Sequence, residues 1–153
     1  MSSPRLVLWD IDHTLIETRG VGGQVYAEAF AKITGHPLRQ MPDLAGRTEP
    51  VIFREALKVN AVDDAENLYE RFAAEQARGY IEHLDDLRTR GRALPGAVEA
   101  LQALAQRDDV VQSVLTGNTR ASAEIKLQAF ALDDWLDFES ARMEPTTTPA
   151  RTL

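Results

Sequence analysis

Short apolar runs and periodic apolar positions divide the sequence into alternating strands and helices. Residues 5–9 (RLVLW) form a continuous apolar run, and residues 110–115 (VVQSVL) form a second, mostly apolar one. A short run without alternation, such as 5–9, predicts a strand that is buried on both faces, as in a parallel sheet. Apolar residues three or four positions apart, with helix start and stop signals, predict helices in five segments: 23–35, 51–59, 62–84, 97–107 and 121–132.

This order of elements predicts an α/β fold with a Rossmann-like parallel sheet and an inserted all-helical segment. We assign residues 1–17 and 93–140 to the core and residues 18–92 to the helical insert. Residues 141–153 are predicted to be a disordered tail, because the final fourteen residues, SARMEPTTTPARTL, contain two prolines, four threonines and little that could be buried.

Polar residues follow both predicted strands where the strands end. Asp10, Asp12 and Thr14 follow the first strand, and the second is followed by a Thr-Gly-Asn sequence: Thr116, Gly117 and Asn118. The carboxyl ends of neighbouring parallel strands open onto one crevice, which is where ligands bind in such sheets. Lys126 lies on the next predicted helix and could reach the same crevice. These residues are therefore the candidate site.

The residue types in this candidate site suit phosphoryl transfer. Two carboxylates this close repel each other unless a cation or a proton lies between them. Mg²⁺ takes oxygen ligands and can bridge a carboxylate to a phosphate oxygen. Thr116 and the backbone N–H groups after it could hold other phosphate oxygens, and Lys126 could neutralise the remaining charge. Alone, the two aspartates are also typical of a turn or helix cap, the Thr-Gly-Asn sequence of a turn, and a helical lysine of a solvated charge, so the interpretation depends on their combination.

Composition narrows the possible partners and location. The 153 residues include 17 basic and 24 acidic ones, for a net charge of −7, and contain no Lys/Arg cluster, so no nucleic-acid partner is predicted. The absence of cysteine excludes disulfides and thiolate metal sites and fits a reducing cytoplasm. No apolar stretch approaches the ~18 residues that a membrane span needs. The sequence thus predicts a cytoplasmic protein without a membrane partner.

At these residues the sequence resembles the haloacid dehalogenase (HAD) superfamily, whose members are mostly phosphatases. The first HAD motif, hhhhDxDxT, matches LVLWDIDHT, and the second, a strand ending in Thr or Ser, matches VVQSVLTGN. The third, a lysine on the following helix, matches Lys126. The resemblance implies that Asp10 is the nucleophile that forms an aspartyl-phosphate and that Asp12 is the general acid and base. It also implies Mg²⁺ as cofactor, held by Asp10 and the backbone carbonyl of Asp12.

The resemblance further implies how the substrate is held. Its phosphoryl group is expected to contact Thr14, Thr116, Gly117, Asn118 and Lys126. The helical segment resembles the C1 cap of the superfamily, which closes over the site. Within it, LAGRTEP resembles the cap segment of phosphoglycolate-phosphatase-like members, so Arg47 is a candidate substrate contact, with a surface arginine as the alternative. The expected activity is Mg²⁺-dependent hydrolysis of a small phosphorylated metabolite.

One expected HAD motif has no match in the sequence. The family carries a further strand that ends in acidic residues and completes the Mg²⁺ site, whereas Asp133 and Asp134 follow a predicted helix. We therefore expect a core that is incomplete at its C-terminal end, in a truncated chain.

Three alternatives to an active phosphatase are open. The first is a catalytically impaired HAD fragment. The second is a 2-haloacid dehalogenase, which needs no second acid two residues after the nucleophile and is therefore disfavoured by Asp12. A signalling receiver domain is disfavoured as well, because its acids are adjacent rather than spaced D-x-D.

Overall fold

The computed structural model describes residues 3–64, 66–140 and 142–143. The elements in these residues are, in chain order, β1 (Arg5–Trp9), β2 (Ile16–Glu17), α1 (Val21–Thr34), α2 (Glu49–Val59), α3 (Tyr69–Glu82), α4 (Leu84–Arg90), β3 (Arg92–Ala93), α5 (Ala97–Ala105), β4 (Val110–Thr116), α6 (Arg120–Ala129) and β5 (Arg142–Met143). Two short 3-10 helices, Asp133–Trp135 and Phe138–Ser140, lie between α6 and β5.

The main sheet is parallel, with strand order β1-β4-β5. Its first pair aligns Leu6 with Val111 and Trp9 with Val114. The short strands β2 and β3 pair antiparallel where the chain leaves the core and returns to it. A parallel sheet combined with helices confirms the predicted α/β class.

One face of the sheet carries the core, and the other is open. Val114 packs with Leu101 of α5 and Leu127 of α6, and all three are fully buried. On the opposite face, Leu6 is 46% exposed and Leu8 is 38% exposed. The prediction that β1 is buried on both faces is therefore wrong for the described residues. The described elements cover the face that carries Trp9 and Val114, and on the opposite face they cover Ser113, whose hydroxyl donates to the Asp137 carbonyl oxygen.

The helices between β2 and β3 have their own apolar cluster. Phe30 of α1, Phe53 of α2 and Phe72 of α3 are fully buried in it, and the rings of Phe53 and Phe72 stack with centroids 4.4 Å apart. A second cluster, containing Tyr80 and Ala129, packs helices α1, α3 and α4 against α6. The helical segment is thereby fixed above the carboxyl ends of β1 and β4.

Local signals place two helix ends correctly and one incorrectly. Helix α1 ends at Gly35, whose φ of 74° is the left-handed cap conformation that glycine tolerates. Helix α2 begins at Glu49, within two residues of the predicted segment 51–59, and the hydroxyl of Thr48 before it makes no capping hydrogen bond. Helix α3 begins at Tyr69 rather than near residue 62, because the Asp64 carboxylate accepts the backbone N–H of Leu68 and holds a turn there.

The last described residues of the chain belong to the predicted tail. β5, whose residues fall in the predicted tail, pairs with the last two residues of β4. Residues 141 and 144–153 of that tail lie outside the described residues.

Among the described helices, none combines the length and apolar character that crossing a bilayer requires.

Candidate active site

A cavity of about 920 Å³ lies between the sheet and the helical segment. Asp10 and Asp12, directly after β1, line it together with Thr116 and Asn118 at the end of β4. Lys126 reaches it from α6, which begins after Thr119, where the Thr119 hydroxyl accepts the backbone N–H of Ser122 at 3.3 Å. Parallel pairing of β1 and β4 therefore brings side chains that are more than 100 residues apart into one cavity.

Asp12 is held by two side chains from the second half of the chain. The Lys126 ammonium donates to both of its carboxylate oxygens, at 3.0 and 3.2 Å. The Asn118 amide donates to Oδ2 of Asp12 at 2.8 Å, and its own carbonyl oxygen accepts from Lys126 at 2.8 Å. This closed triangle of hydrogen bonds fixes the position of the Asp12 carboxylate.

The charges of Asp12 and Lys126 support each other. Burial alone would raise the pKa of Asp12, but the nearby Lys126 ammonium and the hydrogen bond from Asn118 outweigh it and hold the pKa below its usual range. Burial would likewise lower the pKa of Lys126, but interactions with Tyr80 and Asp12 raise it instead. Both groups are therefore ionised at neutral pH.

Asp10 lies in a different environment from Asp12. Its side chain is exposed, and the carboxylate Oδ1 accepts the backbone N–H of Ile11 at 2.8 Å. Among the described residues, this is the only hydrogen bond to the Asp10 carboxylate. Its second oxygen is thus free to act on a ligand in the cavity.

The loop after β4 meets the start of α2 at close range. The backbone N–H of Glu49 donates to the Gly117 carbonyl oxygen at 3.1 Å. A Cβ atom at Gly117 would lie 3.0 Å from the backbone oxygen of Arg47 and 3.4 Å from Cα of Thr48. Glycine therefore allows this approach between the core and the helical segment.

The structure brings seven of the eight predicted site residues to the cavity: Asp10, Asp12, Arg47, Thr116, Gly117, Asn118 and Lys126. Arg47 is exposed there. Thr14 is exposed and does not line the cavity. Its backbone N–H bonds to the Ile11 carbonyl at 3.2 Å in a tight turn that follows Asp12.

Sequence patterns gave no sign of four further lining residues: Tyr26, Glu49, Gln76 and Tyr80. All four belong to the helices, where apolar periodicity alone assigns them to a packed face or to solvent. The Tyr80 ring lies 5.2 Å from the Lys126 ammonium nitrogen, within cation–π range. Only the packing of α1, α2 and α3 over the sheet reveals that these side chains share a cavity with Asp12.

Residues 7–146 match the sequence profile of a family described as haloacid dehalogenase-like hydrolase. Three solved structures illustrate the structural similarity. A predicted phosphoglycolate phosphatase from Haemophilus somnus 129PT has a TM-score of 0.62 and 19% identity, covering 97% of this chain and 66% of that one. CbbY from Rhodobacter sphaeroides in complex with phosphate has a TM-score of 0.67 and 18% identity, covering 90% and 63%. A hydrolase from Pseudomonas syringae has a TM-score of 0.56 and 20% identity, covering 91% and 59%.

The coverage and the sequence identity determine what these similarities show. The chain spans 59% to 66% of the length of the three solved proteins, so they extend beyond the part that matches it. At 18% to 20% sequence identity, the similarity to these three structures shows a shared fold and nothing more. No curated protein matches the chain.

Proposed function

Because the chain belongs to the haloacid dehalogenase-like hydrolase family, we propose that it hydrolyses the phosphate ester of a small metabolite. The observation that carries this proposal is the difference between its two aspartates. The Asp10 carboxylate is exposed in the cavity with a free oxygen, whereas Asp12 is held by Lys126 and Asn118. This difference supports Asp10 as the attacking group and Asp12 as the group that transfers a proton.

In the proposed reaction, an Asp10 carboxylate oxygen attacks phosphorus and the bond between phosphorus and the ester oxygen breaks. The leaving oxygen takes a proton from Asp12. Water then attacks the aspartyl-phosphate, gives a proton back to Asp12 and releases inorganic phosphate. Asp12 is ionised while it is bound to Lys126. A substrate phosphate that draws Lys126 toward itself would remove this cation and allow Asp12 to take up from water the proton that it then gives to the leaving oxygen.

The residues after β1 supply some of the oxygen ligands that a Mg²⁺ ion needs. Among the described residues, no group of three or more His, Asp and Glu side chains is placed to hold a metal. Mg²⁺ is commonly bound through one or two carboxylates, with waters and substrate phosphate completing its shell. The Asp10 carboxylate and the backbone carbonyl of Asp12 would hold it, since Lys126 and Asn118 occupy the carboxylate oxygens of Asp12. When bound, Mg²⁺ would offset the negative charge of the phosphate.

We further propose that residues 18–92 act as a cap that closes the cavity. Two contacts support this: α3 packs on α6, and the Glu49 N–H bonds to the Gly117 carbonyl. Together they place one wall of the cavity on the helical segment and the other on the sheet. Water would be excluded from the reacting phosphate in this arrangement.

The test is hydrolysis of p-nitrophenyl phosphate with and without Mg²⁺. We expect Asp10→Asn to lose at least about a hundredfold in rate, and Asp12→Asn to lose about 10²–10⁴-fold. Asp108→Asn is the control, because Asp108 is exposed and lies outside the cavity. Full activity in Asp10→Asn would refute the nucleophile assignment. A folded wild-type chain that binds vanadate without turnover would instead identify a catalytically impaired form, and chloride release from a 2-chloro acid would identify a dehalogenase.

A further inference from the structure

The wall of the cavity formed by the helical segment carries a group of buried polar atoms without partners. These atoms are the Tyr26 hydroxyl, the Thr48 hydroxyl, Oε2 of Glu49 and Oε1 of Gln76, and none has a hydrogen-bond partner among the described residues. The Tyr26 residue is 4% exposed and Gln76 is 2% exposed. All four residues line the same cavity as Asp10 and Asp12. We call them the cap subsite.

Such a group needs an explanation, because burying a polar atom without a partner destabilises a fold. Among the described residues, the one other buried side-chain atom without a partner is the Ser122 hydroxyl, which does not line the cavity, and two buried amides nearby are paired. Gln112 donates to the Leu101 carbonyl at 2.8 Å, and Asn118 bonds to both Asp12 and Thr116. Four unsatisfied atoms in one wall therefore indicate a surface that is built to be completed by a ligand.

The chemistry of the four atoms selects the kind of ligand. Burial raises the pKa of both Tyr26 and Glu49, so Tyr26 stays a hydroxyl and keeps a proton to donate. Oε1 of Gln76 only accepts, and the two hydroxyls can donate and accept. A ligand that fills this wall must therefore offer donors and acceptors together. Hydroxyl groups do so, whereas a carboxylate offers acceptors only and an ammonium offers donors only.

The charges of the residues around the cavity also disfavour a second anionic group on the substrate. Glu49 lies in the wall, so a second anionic group on the substrate would meet its carboxylate there. Arg47 is the cation that could favour such an anion, but it is exposed and Glu49 is the more enclosed of the two. Lys126, the other nearby cation, is already bound to Asp12 and Asn118.

We propose that the cap subsite binds the hydroxyl groups of a polyhydroxylated leaving alcohol, so that the substrate is a sugar or polyol phosphate rather than a carboxylate-bearing phosphate ester. This inference rests on the proposed phosphatase function and adds its substrate class. The cap subsite selects the alcohol, while Asp10 and Asp12 act on the phosphate at the other side of the cavity.

The test compares ribose 5-phosphate with 2-phosphoglycolate as substrates of the full chain. We expect the wild type to have a kcat/KM for ribose 5-phosphate roughly tenfold or more above that for 2-phosphoglycolate. Tyr26→Phe, which removes one unpartnered hydroxyl, is expected to reduce this ratio by roughly tenfold, mainly through KM. Tyr69→Phe is the matched control and should keep the ratio, because Tyr69 packs on Phe53 in the same aromatic cluster but does not line the cavity.

The outcomes separate the substrate inference from the proposed function. A wild type that hydrolyses p-nitrophenyl phosphate but does not prefer ribose 5-phosphate, or a Tyr26→Phe variant with an unchanged ratio, would overturn the substrate class alone. If no ester is hydrolysed, the phosphatase function fails, and calorimetric titration of the chain with the two phosphates decides the inference. Tighter binding of ribose 5-phosphate that weakens in Tyr26→Phe would support it, and equal or weaker binding would overturn it.

Discussion

Asp10 and Asp12 are separated by one residue, yet their surroundings differ. Asp12 shares a closed hydrogen-bond triangle with Lys126 and Asn118, and Asp10 receives only the adjacent backbone N–H within the described residues. The tight turn that follows Asp12, with the N–H groups of Thr14 and Leu15 bonded to the Ile11 carbonyl, fixes this difference. The chain thereby keeps one carboxylate accessible and the other paired.

The pairing of Asp12 with Lys126 predicts a measurable coupling free energy. In a double-mutant cycle with Asp12→Asn and Lys126→Met, followed by urea unfolding at about pH 7, we expect a coupling of about 1–2 kcal/mol. This is below the range for fully buried pairs, because 39% of the Asp12 side chain is exposed and solvent screens the pair.

A matched cycle on Arg120 and Glu124 gives the reference for an exposed pair. This ion pair spans 2.8 Å on the surface of α6, with side chains 50% and 32% exposed. Its coupling should stay below about 0.5 kcal/mol. Equal coupling in the two cycles would show that the cavity does not strengthen the Asp12–Lys126 pair.

At the scale of elements, an ion-pair network joins α1 to the junction of α3 and α4. The His83 ring lies at this junction, with Nε2 2.7 Å from the Glu28 carboxylate of α1 and Nδ1 3.1 Å from that of Asp86. Hydrogen bonding to Glu28 and Asp86 raises the pKa of His83 above its usual 6.5. Hydrogen bonding to His83 lowers the pKa of Glu28 below its usual 4.5.

These shifts predict how the stability of the helical segment depends on pH. The contribution of His83 is fully present below about pH 6.5 and is lost as pH rises through its raised pKa. The contribution of Glu28 is present above about pH 4.5 and is lost as pH falls through its lowered pKa. His83→Gln should therefore lower the thermal midpoint more at about pH 5.5 than at about pH 8.5.

Circular dichroism melts of the wild type and of His83→Gln measure this difference. His36→Gln is the control, because the His36 side chain makes no ion pair within the described residues and is exposed. The control should show no comparable pH dependence. A His83→Gln effect of the same size at both pH values would mean that the charged pair adds nothing to the packing of α1.

At the scale of the whole molecule, the sequence predicts what local signals encode. The strand-end aspartates, the Thr-Gly-Asn turn after β4 and Gly35 at the end of α1 each determine local geometry, so the α/β class and the position of the candidate site follow from them. The cap subsite does not follow, because Tyr26 and Gln76 have ordinary helical spacing and acquire a common cavity only through long-range packing. The open sheet face was missed for the same reason: an apolar run does not reveal how many of its faces are covered.

That open face predicts a contrast between two leucines. Leu101→Ala should lower the free energy of unfolding by about 2–5 kcal/mol, because Leu101 is fully buried between α5 and the sheet. Leu6→Ala should lower it by less than about 1 kcal/mol, because Leu6 is 46% exposed and its removal opens no enclosed cavity. Urea unfolding of both variants at several protein concentrations measures the contrast. A large, concentration-dependent loss in Leu6→Ala would contradict it and would show that another chain covers this face in solution.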